Sequence, residues 1–356
     1  MKKTVFFLVV VLLTAINIYP QQKVIGYYSS DYNSMPYSAV PYYSLTHICH
    51  AFIRPNSDGS LSVRPGFVYR ELVETAHLNN VKVLISIGGW DTVAAKNFRT
   101  IAANPALRQR FVSELTKFCK TNRYDGADID WEYPDASDNG SYVSLISQLR
   151  KSFKASGIPL ITAALPSQDF RNGYNIAKLK GLLDWFSIMT YDFAGAWENN
   201  AYHNSPLYPS ARQTGSINNS MQYYMVKGVP KSKLMIGMSF YGYRMNASDI
   251  YEKLSDKVVP SVSYTAAESL KKSPDWQYKW DKTSMAPYLQ NRAKTQIVTY
   301  DDQASVKLKC QYVKKNGFGG AIIWELHKDY DGTKSPLMEI VAKNLKTKSV
   351  AHKVKR

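Results

Sequence analysis

Eight short apolar runs, each closed by turn-forming residues, constrain this chain more than any other feature. They occupy residues 23–29, 47–53, 82–88, 126–132, 160–167, 185–192, 234–242 and 320–326. Most of the segments between them carry apolar residues at helical spacing, as in 98–120, 141–155 and 305–315. Strands that alternate with helices pair in parallel, because each crossover helix returns the chain to the same end of the sheet. Eight such units predict an α/β fold closed into a (β/α)8 barrel. The stretch 243–299 is longer than one loop and helix need and contains Trp276, Tyr278, Trp280 and Tyr288. It reads as a small insertion, between the seventh and eighth strands, packed over the barrel mouth. No internal repeat or linker marks a second domain.

Composition matters here mainly for what it excludes. A chain that is 45% apolar and 13% aromatic is not disordered. The formal charge of +17 suggests nucleic acid until its position is considered. Lys2, Lys3 and six basic residues between Ala342 and Arg356 carry eight of those charges outside the expected fold. The remaining +9 is spread without blocks, and no nucleic-acid-binding motif accompanies it. Met1-Lys2-Lys3 followed by nine apolar residues, 5–13, reads as a signal peptide over about 1–22, cleaved between Ala15 and Lys23. That run is too short to span a bilayer, and no later run is long enough. The expectation is a secreted protein, extracellular or periplasmic, with a catalytic body over 23–346 and a solvated basic tail at 347–356. Cys49, Cys119 and Cys310 are odd in number and widely spaced, which is neither a disulfide framework nor a zinc pattern, although one pair is possible. His47 and His50 flank Cys49 in an apolar run that a packed strand explains better than a metal. No metal and no cofactor are expected.

The chemistry concentrates on the fourth run, Asp125-Gly-Ala-Asp128-Ile-Asp130-Trp-Glu132-Tyr-Pro. Residues two apart in a strand share a face, so Asp128, Asp130 and Glu132 line up toward the mouth of the barrel. Three buried carboxylates cannot all ionise cheaply; such a row shares protons and raises at least one pKa. Glu132, the outermost, is then a candidate general acid. A solvated acidic edge fits poorly beside Ile129 and Trp131, and a metal cage would draw more ligands from a flexible loop.

This D-x-x-D-x-D-x-E pattern resembles the signature of family 18 glycoside hydrolases, the chitinases and their relatives. Ser86-Ile-Gly88-Gly89-Trp90 is similar to the family's S-x-G-G element. Met189-Thr-Tyr191-Asp192-Phe-x-Gly195-x-Trp197 and His203-Asn204-x-Pro206-Leu207 resemble its sixth-strand segment, and 319–324 resembles its last strand with a terminal tryptophan. The resemblance covers most of 23–346 in order. It implies retaining hydrolysis of β-1,4 bonds between N-acetylglucosamine units, in which the substrate's own acetamido oxygen is the nucleophile. Glu132 would be acid then base, Asp130 would support the acetamido group under the orientation of Asp128, and Tyr191 would hold the acetamido oxygen. Met189 and Asp192 would shape that pocket, and Asp125 would be structural. Trp324 is the expected floor of the cleavage subsite, with Trp90, Trp197, Tyr27, Phe52, Tyr133 and Tyr241 as sugar-contacting neighbours.

Two places depart from the family. Its Y-G-R on the seventh strand, whose arginine contacts sugar, reads Tyr241-Gly242-Tyr243 here, with Arg244 one residue later on the opposite face. A glycine often found before the histidine of the H-N-x-P-L segment is Tyr202. The expected partner is chitin or chito-oligosaccharide, with no nucleic acid and no membrane span, bound by a monomer. The alternatives are an endo-N-acetylglucosaminidase acting on N-glycans and a non-hydrolytic chitin-binding lectin. The latter typically lacks a member of the acidic triad, which is complete here.

Overall fold

A computed structural model describes residues 22–29, 35–67 and 70–346. The expected leader, apart from Gln22, and the basic tail therefore lie outside the described residues. Eight parallel strands form the central sheet: β1 (Lys23–Ser29), β2 (His47–Pro55), β3 (Lys82–Gly89), β4 (Gly126–Trp131), β5 (Leu160–Pro166), β6 (Trp185–Met189), β7 (Leu234–Ser239) and, after an insertion, β13 (Gly320–Trp324). β1 pairs with β2 on one edge and with β13 on the other, so the sheet closes. This is the (β/α)8 barrel expected from the eight runs.

Alternation along the strands sorts their side chains into two layers. Val24, Ile48, Val83, Ile85, Ile129, Ile161 and Ile188 join the core shared with the outer helices. Ile25, Tyr27, Cys49, Leu84, Trp185, Met235 and Ile322 form the cluster inside the barrel. His47 and His50 are packing residues: His47 meets Trp185 edge-on at 4.9 Å, and His50 stacks on Phe67 at 4.3 Å. The three cysteines are buried and free. No helix among the described residues is long and apolar enough to cross a membrane.

The residues between β7 and β13 build an antiparallel sheet of five strands: β8 (Tyr241–Met245), β9 (Ser261–Ser263), β10 (Trp276–Asp281), β11 (Ala286–Asn291) and β12 (Ile297–Thr299). Met245, Ala247, Ile250, Leu254, Tyr288 and Ile297 give it a core that also takes Ala194 and Ala201 from the loop after β6. Asp281, which accepts the Tyr251 hydroxyl at 2.6 Å within the insertion, ties it to the loop after β6 by facing His203 Nε2 at 3.2 Å.

Several expected boundaries change. The seventh run, read as one strand over 234–242, breaks at Phe240: β7 ends at Ser239, and Tyr241 already belongs to the insertion sheet. The backbone of Phe240 is claimed on both sides, its N–H donating to the Trp324 carbonyl and its own carbonyl accepting from Tyr264. The helical pattern over 98–120 is two helices, α1 (Thr92–Ala103) and α2 (Pro105–Thr121). Pro105 forces Asn104 out of the helical region, and the Asn104 side chain caps the second helix. The fourth, sixth and eighth runs overshoot, because the ladders stop at Trp131, Met189 and Trp324. Glu132 and Tyr191-Asp192 lie just past those ends, on the mouth of the barrel.

Candidate active site

β4 drives a row of carboxylates from the barrel centre to its mouth. Asp128 is fully buried, Asp130 nearly so, and Glu132 half-buried. Register explains how the innermost is tolerated: Ser86 on β3 and Thr162 on β5 both stand level with Asp128. Their hydroxyls donate to it at 2.8 Å and 2.6 Å, and the Tyr27 hydroxyl from β1 adds a third bond at 2.9 Å. Burial raises the Asp128 pKa, and these three donors pull it back. Gly88 stands level with Asp130, where a Cβ would lie 2.1 Å from the Asp130 carbonyl oxygen, so only glycine lets the strands approach.

Asp130 has no comparable support. Its Oδ1 is buried without a hydrogen-bond partner. Burial, then the negative charges of Glu132 and Asp128, hold its pKa well above the usual carboxylate range. The expectation that Asp128 orients Asp130 is not met by a direct bond: the hydrogen bonds to the Asp128 carboxylate come from the three hydroxyls, and none joins the two acids among the described residues. Glu132 is pushed up to about 7, mainly by burial and further by Asp192, while the Tyr133 hydroxyl opposes the shift. Asp125 lies at the far end of β4, accepting the Val83 N–H and facing His77 Nε2, both at 2.8 Å, which is a structural task.

The loop after β6 brings Tyr191 and Asp192 to the same mouth. Tyr191 is buried, and burial and nearby Asp192 raise its pKa. Asp192 adopts a left-handed backbone with φ of 60°, held by its N–H donating to Asn204 Oδ1 at 3.0 Å. Asn204 also donates to Ser239 Oγ and the Tyr241 carbonyl, both at 3.1 Å. Next in sequence, Ser205 donates to the Thr190 carbonyl at 2.7 Å and accepts from Lys309 at 2.8 Å; Lys309 forms a buried ion pair with Asp301. The H-N-x-P-L segment thus braces the Tyr191-Asp192 pair.

Aromatic rings surround these acids, though not all as expected. Trp324 packs on Phe52 at 5.6 Å and on the edge of Tyr27 at 5.5 Å. Tyr27, expected as a sugar-contacting neighbour, is 2% exposed with its hydroxyl committed to Asp128, so it lies beneath the carboxylates. Tyr241 is likewise buried, with its hydroxyl on Asp192 Oδ1 and its ring against Tyr191 at 6.1 Å. Trp90 is 81% exposed and meets Tyr133 at 6.2 Å. Trp197 is 61% exposed; its ring runs back over Gly195, where a Cβ would be 2.3 Å from it. Met189 ends β6 half-buried. Arg244 stays exposed, and no bulge brings it to the site. Cis peptide bonds occur at Ala51–Phe52, Glu132–Tyr133 and Trp324–Glu325.

Sequence reasoning missed Ser86 and Thr162 as donors to Asp128, Phe170, which extends the Tyr133 ring contact at 5.1 Å, and Tyr243, which donates to Asp192 Oδ1 at 2.8 Å. Inward phase on β3 and β5 marks the first two as facing the barrel interior, but only the register against β4 sets them level with Asp128. No group of three or more His, Cys, Asp or Glu side chains among the described residues is placed so that it could hold a metal ion.

Comparison with known proteins gives a consistent result. The family model described as glycosyl hydrolases family 18 matches residues 23–329. Chitinase A1 of Niallia circulans is 31% identical over 304 residues, covering 71% of this chain and 41% of that protein. A probable endochitinase of Caenorhabditis elegans is 33% identical over 299 residues, covering 74% of this chain and 48% of that protein. The chain thus spans about half the length of these relatives. A family 18 chitinase from Cycas revoluta, solved in complex with (GlcNAc)4, superposes with a TM-score of 0.82 at 26% identity, covering 90% of this chain and 99% of that one.

Proposed function

The chain belongs to glycosyl hydrolases family 18, and from that premise we propose that it is a secreted chitinase acting on chitin or chito-oligosaccharides by retaining, substrate-assisted hydrolysis. One observation carries this reading: Glu132 stands at the open end of a buried acidic row with its carboxyl raised to about 7. A carboxyl at its ordinary value of 4.5 would be only about 0.3% protonated at pH 7, whereas one near 7 is about half protonated. Glu132 can therefore bring a proton to the scissile oxygen under neutral conditions.

In the proposed reaction the acetamido oxygen of the sugar at the cleavage point forms a bond to its own anomeric carbon. The bond from that carbon to the glycosidic oxygen breaks, and the Glu132 proton passes to the departing oxygen. Asp130, whose Oδ1 lacks a protein donor, accepts the acetamido N–H and stabilises the oxazolinium cation that forms. Tyr191 donates to the acetamido oxygen, and Met189 and Asp192 shape the pocket around the group. Glu132, now a carboxylate, takes a proton from water as the water oxygen attacks the anomeric carbon; the bond from that carbon to the acetamido oxygen breaks, regenerating the neutral acetamido group, and two inversions restore the original configuration. Asp128 lies behind Asp130, and its three hydroxyl donors favour its carboxylate form against the cost of burial. Trp324 supplies the ring face under the reacting sugar; Phe52, Tyr133, Trp90 and Trp197 contact its neighbours.

Chromogenic chitobiose and chitotriose glycosides test the reading. Wild-type turnover that disappears in Glu132→Gln is the expected result; turnover no greater than that of Glu132→Gln refutes hydrolysis.

A further inference from the structure

Asp192 is the one acid at the mouth whose carboxylate is gripped from the insertion. β8 alternates so that Tyr241 and Tyr243 share a face, and both hydroxyls donate to the same oxygen, Asp192 Oδ1, that of Tyr243 at 2.8 Å. No hydrogen bond reaches Oδ2 among the described residues. The three groups are fixed by their surroundings: Tyr241 packs edge-on against Tyr191 and against Tyr243 at 5.8 Å, and Tyr243 meets the Trp197 ring at 6.2 Å. From the other side Asn204 pins the Asp192 backbone. Tyr243 occupies the position of the arginine in the family's Y-G-R segment, and the side chains that hold this acid are neutral hydroxyls.

We propose that Tyr243 is a positioning residue for catalysis: from the root of the insertion it holds the Asp192 carboxylate by one oxygen and leaves the other facing the cleavage pocket. This rests on the hydrolytic reading above. The titratable groups facing Asp192 are Tyr241 and Tyr243 from β8, Tyr191 beside it, and Glu132 and Tyr133 past the end of β4. Burial is the main reason Glu132 holds its proton, and the Asp192 charge adds to it. Without the Tyr243 hydroxyl, Asp192 either takes up a proton or swings away. Either change removes negative charge from beside Glu132 and lets it ionise at lower pH.

The test is a kcat and KM profile against pH on a chitotriose glycoside for wild type, Tyr243→Phe, Asp192→Asn and the double variant. Expected for Tyr243→Phe is a loss of about tenfold in kcat, KM changed less than about twofold, and an alkaline limb moved down by about half a pH unit. The double variant should match Asp192→Asn, because both substitutions act on one carboxylate. A folded Tyr243→Phe with wild-type kcat and limb overturns the proposal, as does strict additivity in the double variant. Should Tyr243→Phe fail to fold, Asp192→Asn alone must shift the limb, and an unshifted limb overturns it. Wild type without turnover refutes hydrolysis and this inference together; wild-type turnover abolished by Glu132→Gln, beside an unaffected Tyr243→Phe, refutes this inference alone.

Discussion

Thr162→Val removes the shortest of the three bonds that sustain Asp128 while leaving side-chain volume almost unchanged. The Thr162 hydroxyl donates to Asp128 Oδ1 at 2.6 Å, in a place with no solvent to replace it. A hydrogen bond to a charged group contributes about 1.5–3 kcal/mol. The variant should therefore lose about 2 kcal/mol of stability wherever Asp128 is ionised, and its pKa should rise further. Burial already raises that pKa in the folded protein. An acid whose folded pKa rises further loses stability above that pKa and recovers it below, so the deficit must depend on pH. At pH 8 the full loss is expected; toward pH 4, as the carboxyl takes up its proton, the deficit should shrink toward about 1 kcal/mol or less, the worth of a neutral hydrogen bond. Urea unfolding of both proteins at the two pH values measures the difference. An equal deficit at pH 8 and pH 4 refutes the claim that Thr162 acts on a carboxylate and leaves packing as the explanation.

Three further outcomes follow from the same geometry. The alkaline limb of kcat/KM should fall with a midpoint near pH 7, where Glu132 loses its proton; a flat profile to pH 9 removes Glu132 as the acid. His50, fully buried and held neutral with its pKa lowered to about 3 by burial, should make the protein less stable as pH drops below the unfolded histidine value of about 6.5. By pH 5 that costs about 2 kcal/mol, which His50→Phe should abolish from the slope of stability against pH; an unchanged slope contradicts it. Trp324→Ala should cut kcat/KM on chitotriose glycosides by at least about tenfold, given a lost ring contact of about 1.4 kcal/mol or more; a change below twofold means that Trp324 is not the floor of the reacting subsite.

What the sequence disclosed, and what it hid, has a physical pattern. The eight strands were legible because barrel strands are short, apolar and punctuated, and the acidic row because three carboxylates at a spacing of two must share one face of β4. Alternation says which way a side chain points, not how deep it sits, so it does not separate a sugar-contacting ring from Tyr27, whose hydroxyl is committed to Asp128. Ser86 and Thr162 became donors only through the register of β3 and β5 against β4, which no single segment encodes. The break at Phe240 is invisible in an apolar run over 234–242, since leaving the barrel for the insertion sheet changes pairing partners and not hydrophobicity. That break also hid Tyr243, whose hydroxyl reaches Asp192 because β8 starts a new sheet over the mouth. Asn104, by contrast, announced its break through the proline that follows it.

The central claim is that Glu132 donates a proton while the substrate's acetamido group displaces the leaving sugar. Proton NMR of the first reducing ends released from chitotetraose, recorded before mutarotation, tests it most directly. The account predicts the β anomer as the initial product; initial release of the α anomer contradicts it.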